Sequence, residues 1–189
     1  HVLNGWSRDP NAQIFCAGMW RDIPLSVVGE SEVADVAVIA TNHQISPTFV
    51  MEANPDGMVW GQDVYFLGFP YGWSAEIDAK INRGFPLPFV KKAIISAMAS
   101  EDGVQHLYLD GHNNPGFSGG PVIFKKDGCN EFKVAAVISG YRYTEEPVYS
   151  GSNAVPLAYR NNTGIIVAHG IKAATDLIAR NPVGFPLGA

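Results

Sequence analysis

The stretch that decides the fold is "GHNNPGFSGGPVIF", residues 111–124, in which four glycines and two prolines surround a single serine, Ser118. A serine hydroxyl is a weak nucleophile, and it reacts only with the help of a base and of donors that stabilise an oxyanion. Glycines let the backbone turn so that neighbouring N–H groups point into one small space. The stretch is therefore either a Gly/Pro turn between strands or a turn that presents a nucleophile. In the second case, the N–H groups of Gly116 and Ser118 are the candidate oxyanion hole.

Composition excludes several classes of protein. The 189 residues carry a formal net charge of −5 and are 47% hydrophobic, which is ordinary for a globular chain with a sizeable core. The acidic balance argues against a nucleic-acid surface, and no apolar run approaches the roughly 20 residues of a membrane-spanning helix. No residue cluster has metal-ligand spacing, and no phosphate loop or dinucleotide fingerprint occurs, so we expect no metal and no cofactor. The two cysteines, Cys16 and Cys129, do not make a disulfide framework.

Short apolar or alternating runs, separated by Gly, Pro, Asn and Asp, predict a chain made mostly of β-strands. No helical pattern between them is long enough for the crossovers of a parallel sheet. One helix is predicted near the end, in "GIKAATDLIARNP", because its apolar residues share a face and Pro182 follows. The pattern is typical of a barrel or sandwich. The predicted strands cover residues 12–18, 23–29, 35–41, 63–69, 90–98, 105–110, 120–124, 132–140 and 163–170.

The segment "PYGWSAEIDAKINRGFPLPF", residues 70–89, breaks this rhythm with three prolines and predicts a long connection. It divides the chain into a first unit, residues 1–69, and a second unit, residues 90–189.

"NNPGFSGGPVIF" resembles the nucleophile segment of the trypsin-like (chymotrypsin-fold) serine peptidases, in particular the bacterial HtrA/Deg-like branch. Four other segments are similar to this family in the same order along the chain. They are "ADVAVIA" (34–40), with the triad aspartate; "VYFLGFPYG" (64–72), a Gly-x-Pro-x-Gly turn; "KVAAVISGY" (133–141), the substrate-pairing strand; and "GIIVAHGIKAATDLI" (164–178), the last strand and helix.

The resemblance implies an all-β, two-barrel chymotrypsin-like fold with a C-terminal helix. Residues 1–69 would be the remainder of the N-terminal barrel, 70–89 the connection between the barrels, and 90–189 the C-terminal barrel with its helix. Because the family has several strands before its histidine and this chain has none of them, we expect an incomplete first barrel and a natural protein that is longer at its N-terminus.

The resemblance also implies a serine endopeptidase that works through a His-Asp-Ser triad and an acyl-enzyme. His1 is the only histidine before Asp35, so the triad would be His1, Asp35 and Ser118. Ser118 would attack, His1 would take and return the proton, and Asp35 would fix the imidazole tautomer. Without the resemblance, His1 would be interpreted as an ordinary terminal residue and Asp35 as an ordinary turn residue.

Substrate recognition is implied at two places. His112, six residues before Ser118, would lie near the floor of the primary specificity pocket. The backbone of Ile138, Ser139, Gly140 and Tyr141 would pair with an extended polypeptide substrate as an added strand.

Two departures from the secreted members of the family bear on regulation and compartment. Phe117 stands where many of them have an aspartate that pairs with a newly cut N-terminus, so no such activation switch is expected. Val2 follows His1, so the disulfide that flanks the histidine in many secreted members is missing, which favours a bacterial or intracellular protein.

Two alternatives remain open at this level. "GFSGG" also satisfies the nucleophile-elbow pattern of α/β-hydrolases, with Asp127 and His169 as acid and base, although Pro121 and the β-branched residues after it disfavour the required helix. Alternatively, a trypsin-like domain can lose catalysis and serve as a binding module.

Overall fold

The computed structural model describes residues 11–31, 33–45, 51–75, 78, 80–82 and 84–185. The first part of the chain forms a three-stranded antiparallel sheet in the order β1-β2-β3. Its strands are β1 (Asn11–Cys16), β2 (Met19–Ser31) and β3 (Val36–Thr41). Asp35 is the last residue of the turn between β2 and β3, so β3 begins directly after it.

The second part is a closed antiparallel barrel with the strand order β4-β5-β6-β9-β8-β7. Because the barrel is closed, each strand is paired on both sides within the barrel, and no sheet edge is exposed there. Its strands are β4 (Asp63–Gly68), β5 (Phe89–Glu101), β6 (Val104–Asp110), β7 (Pro121–Lys125), β8 (Phe132–Ser150) and β9 (Asn153–Gly170).

The barrel interior is the main hydrophobic core. Side chains alternate inward and outward along the strands, as on β4, where Val64 and Phe66 are buried and their neighbours are less so. Phe117, just before Ser118, belongs to this core, which therefore anchors the serine turn. The other large, fully buried members are Ile95, Leu107, Leu109, Val122, Phe124, Ile138 and Ile166.

The C-terminal helix, α1 (Lys172–Arg180), joins the two sheets. The N–H of Ile171 donates to the carbonyl of Ala135 on β8 at 2.8 Å. On the other side, the Leu177 side chain packs against Gly29 of β2, and Asn181 Nδ2 donates to the carbonyl of Val28 at 3.1 Å. The helix thus fastens the sheet whose β2–β3 turn carries Asp35 to the barrel whose β6–β7 turn carries Ser118.

The predicted all-β architecture with a C-terminal helix is confirmed. The nucleophile-elbow alternative is wrong, because strand β7 rather than a helix follows Ser118. The prediction also left residues 141–162 without strands, whereas β8 and β9 run through most of this segment. The division at residues 70–89 stays a prediction.

Three negative findings hold for the described residues only. None of their helices is long and apolar enough to cross a membrane. No group of three or more of their His, Cys, Asp and Glu side chains could hold a metal ion. Cys16 and Cys129 are not joined by a disulfide.

Candidate active site

The turn that carries Ser118 connects β6 to β7 and needs a glycine two residues before the serine. Gly116 has φ of 103°, and a Cβ at this position would lie 2.2 Å from the carbonyl oxygen of Phe69. The close approach is held by two hydrogen bonds. The Phe69 N–H donates to Gly116 O at 3.0 Å, and the Tyr71 N–H donates to Pro115 O at 2.9 Å. The segment after β4 therefore fixes the backbone just before the serine.

The backbone after the serine is tied to β8. Gly119 N–H donates to Ile138 O at 2.8 Å, and Ile138 N–H donates to Gly120 O at 2.9 Å. Gly120 N–H also closes a tight turn onto Phe117 O at 2.9 Å. Ser118 is thus held between two anchored segments.

The proposed oxyanion donors have no competing partner in the described part of the chain. There, neither the N–H of Gly116 nor that of Ser118 donates to a protein acceptor. Gly116 is exposed and Ser118 is half-buried, so these two N–H groups are open to a ligand. Two such donors beside a serine hydroxyl are suited to an incoming oxyanion.

A chain of hydrogen bonds links Ser118 to Asp35 across the two sheets. Ser118 Oγ donates to the carbonyl of Ser139 at 2.8 Å, and Ser139 Oγ donates to Asp35 Oδ2 at 3.0 Å. The β2–β3 turn that presents Asp35 is held by Ser31, whose Oγ accepts the N–H of Ala34 at 3.0 Å. The structure therefore brings together Asp35 and Ser118, which are far apart in the sequence. His1 lies outside the described residues, and its role stays a prediction.

Lys91 holds the loop that precedes the serine. Its Nζ donates to the carbonyl of His112 at 2.6 Å and to Asn114 Oδ1 at 2.7 Å, and it lies 5.5 Å from the centre of the Phe117 ring. Partial burial lowers the pKa of Lys91 below its ordinary value. The ammonium replaces part of its lost hydration with these contacts and thereby fixes the loop.

The region expected to form the specificity pocket contains a buried amide. Asn113 is only 2% exposed, and its Nδ2 donates to Gly140 O at 3.2 Å. The Asn113 Oδ1 atom is buried and has no hydrogen-bond partner among the residues that the structure describes. The His112 side chain is exposed, and a Cβ placed on Gly140 would meet no atom of the described residues within 4 Å. The wall at Gly140 is therefore open, and Tyr141, next to it, is 36% exposed.

Residues 8–129, which are more than half of the chain, match the sequence model of the trypsin-like peptidase domain family. The chain belongs to this family. No relative is found among curated protein sequences.

Several solved structures show the same fold at low sequence identity. The HtrA-type protease AlgW with a tripeptide has a TM-score of 0.54 and 19% identity, over 85% of this chain and 44% of that one. AlgW with a decapeptide has a TM-score of 0.53 and 20% identity, over 85% of this chain and 41% of that one. An inactive serine-to-alanine mutant of Rv3671c from M. tuberculosis H37Rv has a TM-score of 0.53 and 18% identity, over 89% of this chain and 69% of that one. This chain spans less than half the length of AlgW.

Beside the site, this trypsin-like domain has a buried histidine, His169, that contacts the half-buried His106. His169 on β9 is 6% exposed, and its ring centre is 5.0 Å from that of His106 on β6. Its Nδ1 has no hydrogen-bond partner in the part of the chain that the structure describes. Burial is the main cause that lowers the pKa of His169, the His106 charge adds to it, and the Asp35 carboxylate acts in the opposite direction. His169 is therefore a polar core residue that favours the neutral form.

Sequence reasoning missed three residues that shape the trypsin-like site, namely Tyr71, Lys91 and Asn113. Each acts through a contact between distant segments, such as that of Asn114 Nδ2 with the Tyr71 hydroxyl at 3.4 Å. Asn113 and Tyr71 lie inside quoted motifs, but no motif indicates these contacts, and no motif contains Lys91. The nearest signal was the family's Gly-x-Pro-x-Gly turn, which contains Tyr71 in this chain.

Proposed function

We propose that this protein is a serine endopeptidase that cleaves polypeptides through an acyl-enzyme. The observation that carries the proposal is the hydrogen-bonded series from Ser118 through Ser139 to Asp35. Beside it lie the N–H groups of Gly116 and Ser118, which have no acceptor among the described residues. Family membership supports the same reaction.

In this proposal, His1 removes the Ser118 proton as the hydroxyl attacks the scissile carbonyl, and it returns the proton to the leaving amine. Asp35 orients the imidazole and stabilises its charged form, while Ser139 holds the carboxylate in place. The hydroxyl of Ser118 now donates to the carbonyl of Ser139, so it must rotate towards His1 before attack. The Ser139 carbonyl then becomes available to a substrate N–H group.

We further propose that the substrate binds as an extended strand along Ile138–Tyr141. The barrel presents this part of β8 beside Ser118, beyond the last residue that pairs with β7, Val137. The AlgW structures are complexes with a tripeptide and with a decapeptide, which is consistent with this mode of binding.

The proposal is tested by labelling with a fluorophosphonate, which reacts only with activated serines. We expect labelling of the full-length protein, its loss in Ser118→Ala, and a strong decrease in His1→Ala. Ser100→Ala, an exposed serine on β5, is the matched control and should label normally. A folded full-length protein that does not label would indicate a non-catalytic binding module.

A further inference from the structure

Strands β8 and β9 continue beyond the barrel as a two-stranded ribbon, residues 142–162. Within the described residues, β7 pairs with β8 only as far as Val137, and β6 pairs with β9 only from Ile165. From Tyr143↔Asn162 to Ser150↔Asn153, β8 and β9 pair only with each other. The ribbon begins directly after Tyr141, where the proposed substrate strand would lie.

The edge of β8 that faces away from β9 is continuous from the active site into the ribbon. The carbonyl of Ser139 faces away from β9, because it accepts the hydroxyl of Ser118. The carbonyl of Arg142 faces β9, because it accepts Thr163 Oγ1 at 2.9 Å. Successive carbonyls alternate in direction along a strand, so these two observations fix the pattern between them.

The register between β8 and β9 shifts after Tyr141, but the shift passes one residue on β8 and three on β9, so it leaves the alternation along β8 unchanged. The same alternation therefore places the pairing groups of Tyr141, Tyr143 and Glu145 on the side away from β9. Pro147, two residues after Glu145, also faces away from β9, and a proline has no N–H to donate. A proline is tolerated in a strand where its missing N–H would face an open edge, which agrees with this assignment. The open edge thus offers backbone partners at alternate residues and ends at Pro147.

The ribbon face beside this edge carries exposed side-chain contacts. The Arg160 guanidinium lies 4.5 Å from the centre of the Tyr143 ring, and Arg160 Nε lies 3.5 Å from Glu145 Oε1. This face carries a positive charge, a negative charge and an aromatic ring, so it does not favour one type of side chain on a bound polypeptide. An occupant would be recognised mainly through its backbone.

We propose that this edge is an extended binding site for the substrate polypeptide, reaching about seven residues before the scissile bond. The inference rests on the proposed function. A substrate antiparallel to β8 has its N-terminal side towards the ribbon tip. Its first and third residues before the scissile bond pair with Ser139 and Tyr141, its fifth with Tyr143, and its seventh with Glu145.

The first test measures cleavage against substrate length. A peptide that the full-length protein cuts in denatured casein is identified by mass spectrometry and synthesised with three, five, seven or nine residues before the scissile bond. We expect kcat/KM to rise about threefold for each added pair of residues up to seven, and no further at nine. Equal kcat/KM values at every length would overturn the proposal.

A second test separates backbone pairing from side-chain contact. N-methylation of the fifth or seventh amide removes an N–H that would face β8, so the gain from extension should disappear. N-methylation of the fourth or sixth amide is the matched control, because those groups would face away from β8. Equal losses in both sets would contradict the strand register.

Two proline variants test the edge on the protein itself. Glu145 and Arg160 form one rung of the ribbon, and substitution of either removes the same ion pair. Glu145→Pro removes an N–H from the open edge of β8, whereas Arg160→Pro removes the equivalent N–H from the outer edge of β9. We expect the gain between five and seven residues to be lost in Glu145→Pro alone, and equal losses would refute the assignment to β8.

The outcomes distinguish this inference from the proposed function. Cleavage of the three-residue peptide together with labelling of Ser118, but without any gain from length, refutes the extended site alone. Absence of both cleavage and labelling refutes both. Sedimentation velocity tests whether a second copy of the chain occupies the edge instead. A dimer that dissociates in Glu145→Pro would show that it does.

Discussion

Lys91 is the clearest test of how single residues shape the site. Lys91→Met keeps the aliphatic stem but removes both hydrogen bonds to the loop before Ser118. Hydrogen bonds from a charged group contribute about 1.5–3 kcal/mol each, so we expect kcat/KM to fall roughly tenfold or more as the loop loosens. Peptide cleavage and the rate of fluorophosphonate labelling measure the effect.

The neighbouring lysine is the control. Lys92 forms an exposed ion pair with Asp63 at 2.7 Å on the other face of β5. Exposed pairs contribute little, so Lys92→Met should change the rate by less than about twofold. If both variants lose activity equally, Lys91 does not position the loop.

His169 predicts how stability depends on pH. Its pKa is lowered in the folded protein, first by burial and then by His106, so the unfolded chain binds a proton at higher pH than the folded chain does. The contribution of His169 to stability is therefore complete above about pH 6.5 and is lost as the pH falls towards the lowered pKa.

We expect His169→Gln to flatten the decrease in Tm below about pH 6.5, as followed by circular dichroism. His43→Gln, an exposed histidine, should leave the decrease unchanged. An identical pH profile for wild type and His169→Gln would show that this buried histidine does not govern the response to acid.

Among the turns and strands, the turn at Gly116 controls the reactivity of Ser118, and we expect a substitution there to decrease it sharply. In Gly116→Ala, a Cβ would lie 2.2 Å from the Phe69 carbonyl, so the backbone that forms the oxyanion hole must move. Loss of one such donor typically slows a reaction about 100-fold, and we expect a decrease of this order in the labelling of Ser118.

Gly119→Ala separates steric overlap from backbone strain. Gly119 also has a positive φ, of 84°, but nothing lies within 4 Å of a Cβ built there. The variant should lose about 1–2 kcal/mol of stability while Ser118 still labels. A labelling rate in Gly116→Ala similar to that in Gly119→Ala would mean that the Phe69 contact does not matter.

Most elements could be predicted because their signals are local. The strands around Ser118 have apolar, β-branched runs between Gly and Pro, and the helix has an apolar face. The ribbon was missed because "RYTEEPVYSGSNAVPLAYRNN", residues 142–162, is polar, buries little and contains two prolines. Its strands pair only with each other, so no buried face leaves a pattern in the sequence.

The site was predictable to a similar extent. Ser118 and Gly116 were recognisable from one short motif, and Asp35 from its family context. The hydrogen bonds from Lys91 and from Ser139 join segments distant in sequence, and only the closed barrel and the docked sheet bring them together.

At the scale of the whole molecule, helix α1 determines whether the two halves of the site meet. Leu177 packs against Gly29 of β2, while Ile178, the next residue, is 47% exposed. Leu177→Asp places a charge in this contact, and we expect a loss of about 1–3 kcal/mol in the free energy of unfolding, together with lower activity.

Ile178→Asp is the matched control and should change stability by less than about 0.5 kcal/mol. Urea unfolding and peptide cleavage, measured on both variants, provide the comparison. Equal effects of the two substitutions would show that the helix does not fasten the sheet to the barrel.

The two prolines of the ribbon have a consequence for the behaviour of the protein at high concentration. A long, uninterrupted strand edge can template the stacking of many chains into cross-β fibrils, in which every backbone group must find a partner. Pro147 on β8 and Pro156 on β9 each lack the N–H that such stacking requires. The ribbon can therefore remain exposed to a single extended chain while resisting growth into a fibril.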